Sequence, residues 1–254
     1  MTQTRRHFLA TTTATITLLP FAAHADGHGA DSFETPAGNI TVHPVAHASI
    51  VLETPKGTIY VDPVGEGALY EDMPAPDLIL ITHEHGDHYK EETLLAIVAD
   101  STQIIANPAV MGKLPEALKA RASEVANGGT ADFAGMVIEA IPAYNTTEER
   151  KNFHPEGRDN GYVLNFEGFR MYVSGDTEDI PEMRALQDID LAFVCMNLPF
   201  TMDANAAASA VSEFAPSYVY PYHYRGRDGG TQDPETFAKM VSGDTEVKFG
   251  NWYG

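Results

Sequence analysis

Two stretches of the chain read alike. Val51-Leu52-Glu53-Thr54-Pro55-Lys56-Gly57-Thr58-Ile59-Tyr60-Val61-Asp62 and Val163-Leu164-Asn165-Phe166-Glu167-Gly168-Phe169-Arg170-Met171-Tyr172-Val173-Ser174-Gly175-Asp176 each read as a hairpin around a glycine whose return strand delivers an aspartate. Further on, Asp77-Leu78 and Asp190-Leu191 each open a buried strand. A helix and another strand then follow in both stretches, the strands starting near Gln103 and Tyr218. An ordered echo of this kind points to one domain of two similar halves. Strands alternating with helices in both halves imply two facing sheets with helices outside.

The first half carries the densest chemistry. Ile79-Leu80-Ile81 reads as a buried strand, and Thr82-His83-Glu84-His85-Gly86-Asp87-His88 leaves its end. Imidazole and carboxylate are the usual ligands of zinc and similar divalent ions. His83 and His85 can share a face, whereas Asp87 and His88 are adjacent and must diverge, so a loop fans the four around one ion or more. Asp176, after Val173-Ser174-Gly175, and His223, after Tyr218-Val219-Tyr220-Pro221-Tyr222, also stand just past expected strands, as does Asp62. Active sites of α/β sheets gather at such strand ends, so one rim can hold them all.

The remainder sets bounds. A length of 254 residues suits one large domain, and a net charge of -20 argues against nucleic acid as a partner. Thr4-Arg5-Arg6-His7-Phe8-Leu9, a modestly apolar run to Ala22 and Ala23-His24-Ala25 read as a twin-arginine export signal over residues 1–25. Its threonines and Pro20 make it a poor membrane anchor. The expectation is a bacterial protein exported folded to the periplasm or beyond, with the twin-arginine export machinery as partner. Residues 26–38 read as a mobile leader and 39–254 as the domain, with strands from about Ile40. Glu91 to Ala99 reads as a helix, 109–126 as helical, and Met136 to Ile141 as a strand stopped by Pro142. Asn145 to Asn160 reads as a long loop of the kind that is often functional. Cys195, the only cysteine, excludes an intramolecular disulfide and reads as a buried, inert thiol.

His83-x-His85-x-Asp87-His88, Gly175-Asp176-Thr177 and a late His223 resemble the metallo-β-lactamase superfamily of metal-dependent hydrolases, over roughly residues 40–254. His47-Ala48-Ser49, Val61-Asp62-Pro63 and Ser174-Gly175-Asp176-Thr177 look closest to the branch holding ascorbate-6-phosphate lactonase and N-acyl-phosphatidylethanolamine phospholipase D. The resemblance implies a four-layer αββα sandwich of two similar halves. It implies that His83 and His85 bind one ion, Asp87, His88 and His223 a second, and that Asp176 bridges them, with Asp62 orienting a ligand histidine. The third histidine usual for the first ion is replaced by Tyr144-Asn145. His154, on the long loop, is expected to swing in, with Asn145 behind it or in its place. His47 is expected to make a structural hydrogen bond, and His43 to lie at the surface or in the core.

The implied function is hydrolysis of an ester, lactone or phosphodiester bond in a small-molecule substrate. Two divalent ions, zinc before manganese or iron, share a water and bring its pKa from about 16 to about 7, giving a bridging hydroxide held by Asp87 and Asp176. Tyr224 and Arg225, with Arg227, are placed to clamp an anionic group of the substrate. β-Lactamases with a cysteine at the Asp176 position are excluded, because Cys195 lies in the Leu191-Ala192-Phe193-Val194 strand. An oxidative, iron-containing member of the same fold is one alternative. Diiron members tend to carry glutamate where this chain has His85. A non-catalytic metal-binding protein is the other. The sequence leaves oligomeric state open.

Overall fold

The computed structural model describes residues 30–253, so the twin-arginine tract and the first part of the expected leader lie outside the described residues. Strands β1 (Asp31–Thr35), β2 (Gly38–Ala46), β3 (Ser49–Thr54), β4 (Gly57–Val61), β5 (Leu78–Ile81), β6 (Gln103–Ala106) and β7 (Ala122–Glu124) form one sheet in chain order. The second sheet holds β8 (Thr130–Phe133), β9 (Met136–Ala143), β10 (Asp159–Phe166), β11 (Phe169–Val173), β12 (Leu191–Cys195), β13 (Tyr218–Tyr222) and β14 (Glu246–Val247), again in chain order. In each half an antiparallel run turns parallel after its fourth strand, at β4 beside β5 and at β11 beside β12. The strands linked by the sequence echo therefore hold equal places: β3 with β10, β4 with β11, β5 with β12 and β6 with β13.

Alternation along the strands builds the layers. Ile59, Val61, Leu78 and Leu80 join the core that also holds Tyr162, Leu164 and Phe193 of the second sheet. Tyr60, Ile79, Ile81 and Ile104 face the other way, onto Leu94, Val110 and Leu118 of α1 (Glu91–Ile97), α2 (Pro108–Lys113) and α3 (Glu116–Lys119). The second sheet is associated with α4 (Pro181–Arg184), α5 (Ala204–Phe214) and α6 (Pro234–Met240), and Phe214 meets Tyr172 of β11 edge-on at 6.0 Å between centroids. The result is the αββα sandwich. No helix among the described residues is long and apolar enough to cross a membrane.

Three expectations are corrected. The leader is not mobile throughout: β1 pairs with β2 over Asp31–Thr35, and its one buried apolar side chain, Phe33, packs edge-on against Tyr218 at 5.0 Å. The 109–126 segment is not one helix. Pro115 follows the end of α2 and restarts the chain as α3, and β7 then adds to the sheet edge. Pro142 does not stop β9, which runs on to Ala143. There β9 is paired with β10, and β8 reaches only as far as Glu139, so the missing N–H falls where one neighbour strand is absent.

Candidate metal centre

The cluster is assembled by strand ends and a tethered loop. Asp62, past β4, adopts a left-handed backbone (φ 45°), and its Oδ1 accepts the Thr82 N–H at 2.7 Å. Its Oδ2 accepts the Thr82 hydroxyl at 2.6 Å and lies 2.8 Å from His88 Nδ1. That carboxylate turns His88 Nε2 outward, to 3.4 Å from Asp176 Oδ1. Having given its proton to Asp62, the Thr82 hydroxyl is left to accept from His83 Nδ1 at 3.0 Å. His83 Nε2 is thereby free, 3.1 Å from His85 Nδ1.

Asp176 arrives from the second sheet through Gly175, whose φ of 61° and 2.7 Å approach of the Asn160 carbonyl to any added Cβ both require glycine. Its Oδ2 lies 3.5 Å from both His154 Nε2 and His223 Nε2. His223, past β13, also stands in left-handed backbone (φ 48°) and lies 3.5 Å from Asp87 Oδ2.

His154 reaches the cluster because its loop is held at several points. The Asn145 N–H bonds the His154 carbonyl at 2.8 Å, and its side-chain amide donates to the carbonyls of Arg150 and Phe200 at 3.0 and 2.6 Å. Buried Glu178 accepts the N–H groups of Thr146 and Thr147 at 2.8 and 2.7 Å, and Arg150 at 2.8 Å. Asp159 lies 3.1 Å from His154 Nδ1 through Oδ2 and is gripped by Arg158 at 2.7 and 2.9 Å. Asp159 with His154 thus repeats what Asp62 does with His88: a buried carboxylate fixes the ring and aims its other nitrogen.

The residues fit a metal. Donor atoms within 4.8 Å of one another form three groups: His83, His85 and His154; His47, Asp87 and His223; and His83, His88 and Asp176. Ligands sharing one zinc at about 2.05 Å stand roughly 3.3 Å apart on a tetrahedron, close to the spacings of 3.1–3.5 Å found here. His88 Nε2, Asp176 Oδ1 and both ring nitrogens of His223 are buried without a hydrogen-bond partner. Buried polar atoms are rarely left so, and a cation would satisfy those that face the centre.

Charge states agree. His83 is pushed well below 6.5 by burial and then by His88, and burial also lowers His85 and His47. Burial works against a charged His88, yet Asp176 and Asp62 raise it well above 6.5. Burial would lift Asp176, but His223 and His88 hold it well below the carboxylate range. Asp87 is likewise depressed against burial, by the neighbouring His223 and by its contact with His47. Neutral imidazole and ionised carboxylate are the ligating forms, and a cation would displace the proton that His88 otherwise keeps.

Of the residues singled out in the sequence, His83, His85, Asp87, His88, His154, Asp176 and His223 come together, with Asp62 and Asn145 behind them. A cavity of about 390 Å³ opens over the cluster, walled by Phe153, Phe200, Asn197, Arg225 and Arg227. Tyr224 does not line it; its ring packs against Tyr253 at 4.9 Å. His47 makes the expected structural bond, to the Tyr253 hydroxyl at 3.0 Å, but it also lines the cavity, 3.3 Å from Asp87. His43 pairs with Glu53 at 2.8 Å, away from the site. Asp159 and the aromatic wall were not legible as site residues. The one available signal for Asp159 was an acid at the opening of an apolar strand, whereas Asp62 stands at a strand's end. Cys195 is buried and pushed up to about 12, an inert thiol.

The profile of the beta-lactamase superfamily domain matches residues 41–223. The chain is 33% identical over 181 residues to a UPF0173 metal-dependent hydrolase of Thermococcus onnurineus, covering 70% of this chain and 79% of the relative. A UPF0173 metal-dependent hydrolase of Pyrococcus abyssi is 30% identical over the same shares. Among solved structures, a Parabacteroides distasonis protein described as a metal-dependent hydrolase superposes with a TM-score of 0.78 at 39% identity, covering 88% of this chain and 98% of that one. CmlA, a diiron β-hydroxylase of Streptomyces venezuelae, shares the fold (TM-score 0.65, 19% identity, 85% of this chain and 53% of that one). The chain belongs to the metallo-β-lactamase superfamily, among its UPF0173 metal-dependent hydrolases, and carries a His/Asp cluster able to bind metal.

Proposed function

We propose that the protein is an exported dinuclear hydrolase that cleaves an ester, lactone or phosphodiester bond in a small molecule. The observation that carries this is the placement of Asp176. One buried carboxylate lies 3.4 Å from His88 Nε2 through one oxygen and 3.5 Å from His154 Nε2 and His223 Nε2 through the other. In this reading His83, His85 and His154 hold one ion, Asp87, His88 and His223 hold the second, and Asp176 serves both. Imidazole-rich sets of this kind suit zinc. Divalent cations in such a set supply Lewis acidity, which acidifies water to near neutrality and polarises a carbonyl or phosphoryl oxygen. The chain's own part is to fix the ligand rings through Asp62 and Asp159 and to bound a cavity of small-molecule size.

The tracts that resemble the lactonase and phospholipase branch support an ester-like or phosphodiester bond. The Thr4-Arg5-Arg6 tract supports twin-arginine export to the periplasm, and the net charge of -20 supports a site that does not serve nucleic acid. With His154 beside His83 and His85, the first ion has a third histidine although Asn145 stands at the usual position, which weighs against the non-catalytic reading.

The test is a screen of zinc-, manganese- and iron-loaded protein across lactones, esters and phosphodiesters. Hydrolysis that chelation abolishes and metal restores is the expected result. Activity untouched by both complete metal removal and His85→Ala would overturn the reading, and iron with redox-active spectra would turn it toward oxidative chemistry. Replacing Arg5 and Arg6 by lysine should hold the protein in the cytoplasm.

A further inference from the structure

We propose that Arg225 and Arg227 form an oxyanion clamp, so that the substrate carries a carboxylate or phosphate group apart from the bond that is cleaved. The cleavage rests on the hydrolase reading above; the anion binding does not.

The first observation is that these guanidinium groups are unspent. The chain has 36 acidic residues against 16 lysines and arginines, yet neither of these two arginines stands within ion-pair distance of one among the described residues. Arg150, Arg158, Arg170 and Arg184 all pair with carboxylates, and Arg121 donates to the Ala99 carbonyl. Among the described residues neither Arg225 nor Arg227 has an ion-pair or side-chain hydrogen-bond partner. Both line the cavity that opens over the metal cluster.

The second observation is that both are held ready. Arg225 lies over the Tyr253 ring at 4.1 Å and Arg227 over the Phe200 ring at 4.9 Å. Stacking fixes the plane of a guanidinium and leaves its N–H edges free for an oxyanion. Their loop is clamped too. The Gly230 N–H bonds the Arg227 carbonyl at 2.7 Å, the Leu198 N–H bonds the Gly230 carbonyl at 3.2 Å, and the Gln232 N–H bonds the Tyr224 carbonyl at 2.8 Å. Little ordering remains to be done when an anion binds.

The third observation concerns the rest of the ligand. Phe153 and Phe200 meet edge-on at 5.0 Å and form the apolar wall beside Arg227. One cavity thus offers a hydrolytic cluster, an aromatic wall and a paired cation. That combination selects a small acyl or aryl ester, or its lactone or phosphodiester counterpart, bearing an anionic tail.

The test uses two measurements on the wild type, Arg225→Gln, Arg227→Gln and the double variant. Calorimetric titration with glutarate and with inorganic phosphate is made on zinc-loaded and on chelator-stripped protein. Hydrolysis is compared between mono-p-nitrophenyl glutarate and the neutral p-nitrophenyl butyrate. The clamp predicts anion binding that survives chelation and weakens about tenfold with each arginine lost. It also predicts a KM that rises much more for the anionic ester than for the neutral one. Tighter glutarate identifies a carboxylate tail and tighter phosphate a phosphorylated one, and either supports the clamp. Equal affinity in the wild type and the double variant overturns it, even if both esters are hydrolysed. Arginine-dependent binding with no hydrolysis of either ester by zinc-loaded protein leaves the clamp standing and removes the ester-hydrolase reading instead.

Discussion

The Tyr253 hydroxyl lies 3.0 Å from His47 Nδ1, joining the last described residue of the chain to the wall of the metal cavity. The same hydroxyl accepts the Arg225 N–H at 3.2 Å, so its own proton is left for Nδ1. His47 then carries its proton on Nε2, 3.3 Å from Asp87 Oδ2, and donates to that carboxylate. The C-terminal segment is therefore part of the site, and His47 acts through Asp87.

On the two-ion reading proposed above, Tyr253→Phe should weaken binding of the zinc that Asp87 would hold by about fivefold, the equivalent of one hydrogen bond of about 1 kcal/mol. His47→Ala should weaken it by about tenfold or more. Competition against a chromophoric chelator measures both. Unchanged affinity in His47→Ala would mean that Asp87 is held by other contacts.

How far the sequence reached follows from where the information lies along the chain. His83, His85, Asp87 and His88 were readable because the ligands fall within six residues of one another, directly after an apolar strand. Asp176 and His223 were readable because each follows its own apolar strand, and the two-half architecture because its turns and aspartates repeat in order. Asp159 and the wall formed by Phe153 and Phe200 come together only when the loop between β9 and β10 folds back. β1 offers a single buried apolar residue, too little for periodicity, although its turn had a local sign. Glu34-Thr35-Pro36-Ala37-Gly38 repeats Glu53-Thr54-Pro55-Lys56-Gly57, and in each the threonine hydroxyl bonds the glycine carbonyl, at 2.6 and 2.7 Å.

Asp62 and Asp159 orient histidines of different groups, which makes their roles separable. Asp62→Asn frees His88 and Asp159→Asn frees His154. With two ions bound as proposed, each should cost about 10–100-fold in affinity for one ion and little for the other. Stepwise zinc titration of the two variants should show the loss in different steps. Loss of both ions together in either variant would mean that the groups bind as one unit.

Stripping the metal should lower thermal stability. At a thousandfold excess over the dissociation constant, a ligand adds about 4 kcal/mol to the folded state. In a domain of this size each kcal/mol is worth roughly 2–4 °C. Chelation should therefore lower Tm by roughly 10 °C, recovered on adding zinc. The ion pair of His88 with Asp176 and Asp62 limits the fall by keeping a proton where the cation would sit.

Gly230 packs so closely on Leu198 that an added Cβ would collide with the Leu198 carbonyl oxygen. Gly230→Ala should cost about 1–3 kcal/mol by overpacking and displace the loop that carries Arg225 and Arg227. Zinc affinity should fall by no more than the about fivefold expected for Tyr253→Phe, because the displaced turn reaches the cluster through the Arg225 N–H on Tyr253. Calorimetry with glutarate beside a zinc titration reads the two effects separately.

Glu178 makes the His154 loop sensitive to acid. Burial would raise its carboxyl, but hydrogen bonds from Thr147 and Thr146, and Arg150 beside it, hold it at about 2 against an ordinary 4.5. Because the folded value is depressed, its stabilisation is complete above about pH 4.5 and is lost as pH falls toward about 2. Amide protection over residues 144–158, corrected for the intrinsic exchange rate at each pH, should therefore fall between pH 5 and pH 3 in metal-stripped protein, where metal release by ligand protonation does not interfere. Glu178→Gln should exchange faster already at pH 6, by about 1–3 kcal/mol of lost protection, and should respond less to the same acidification. Equal acid response in the two proteins would mean that the effect does not pass through Glu178.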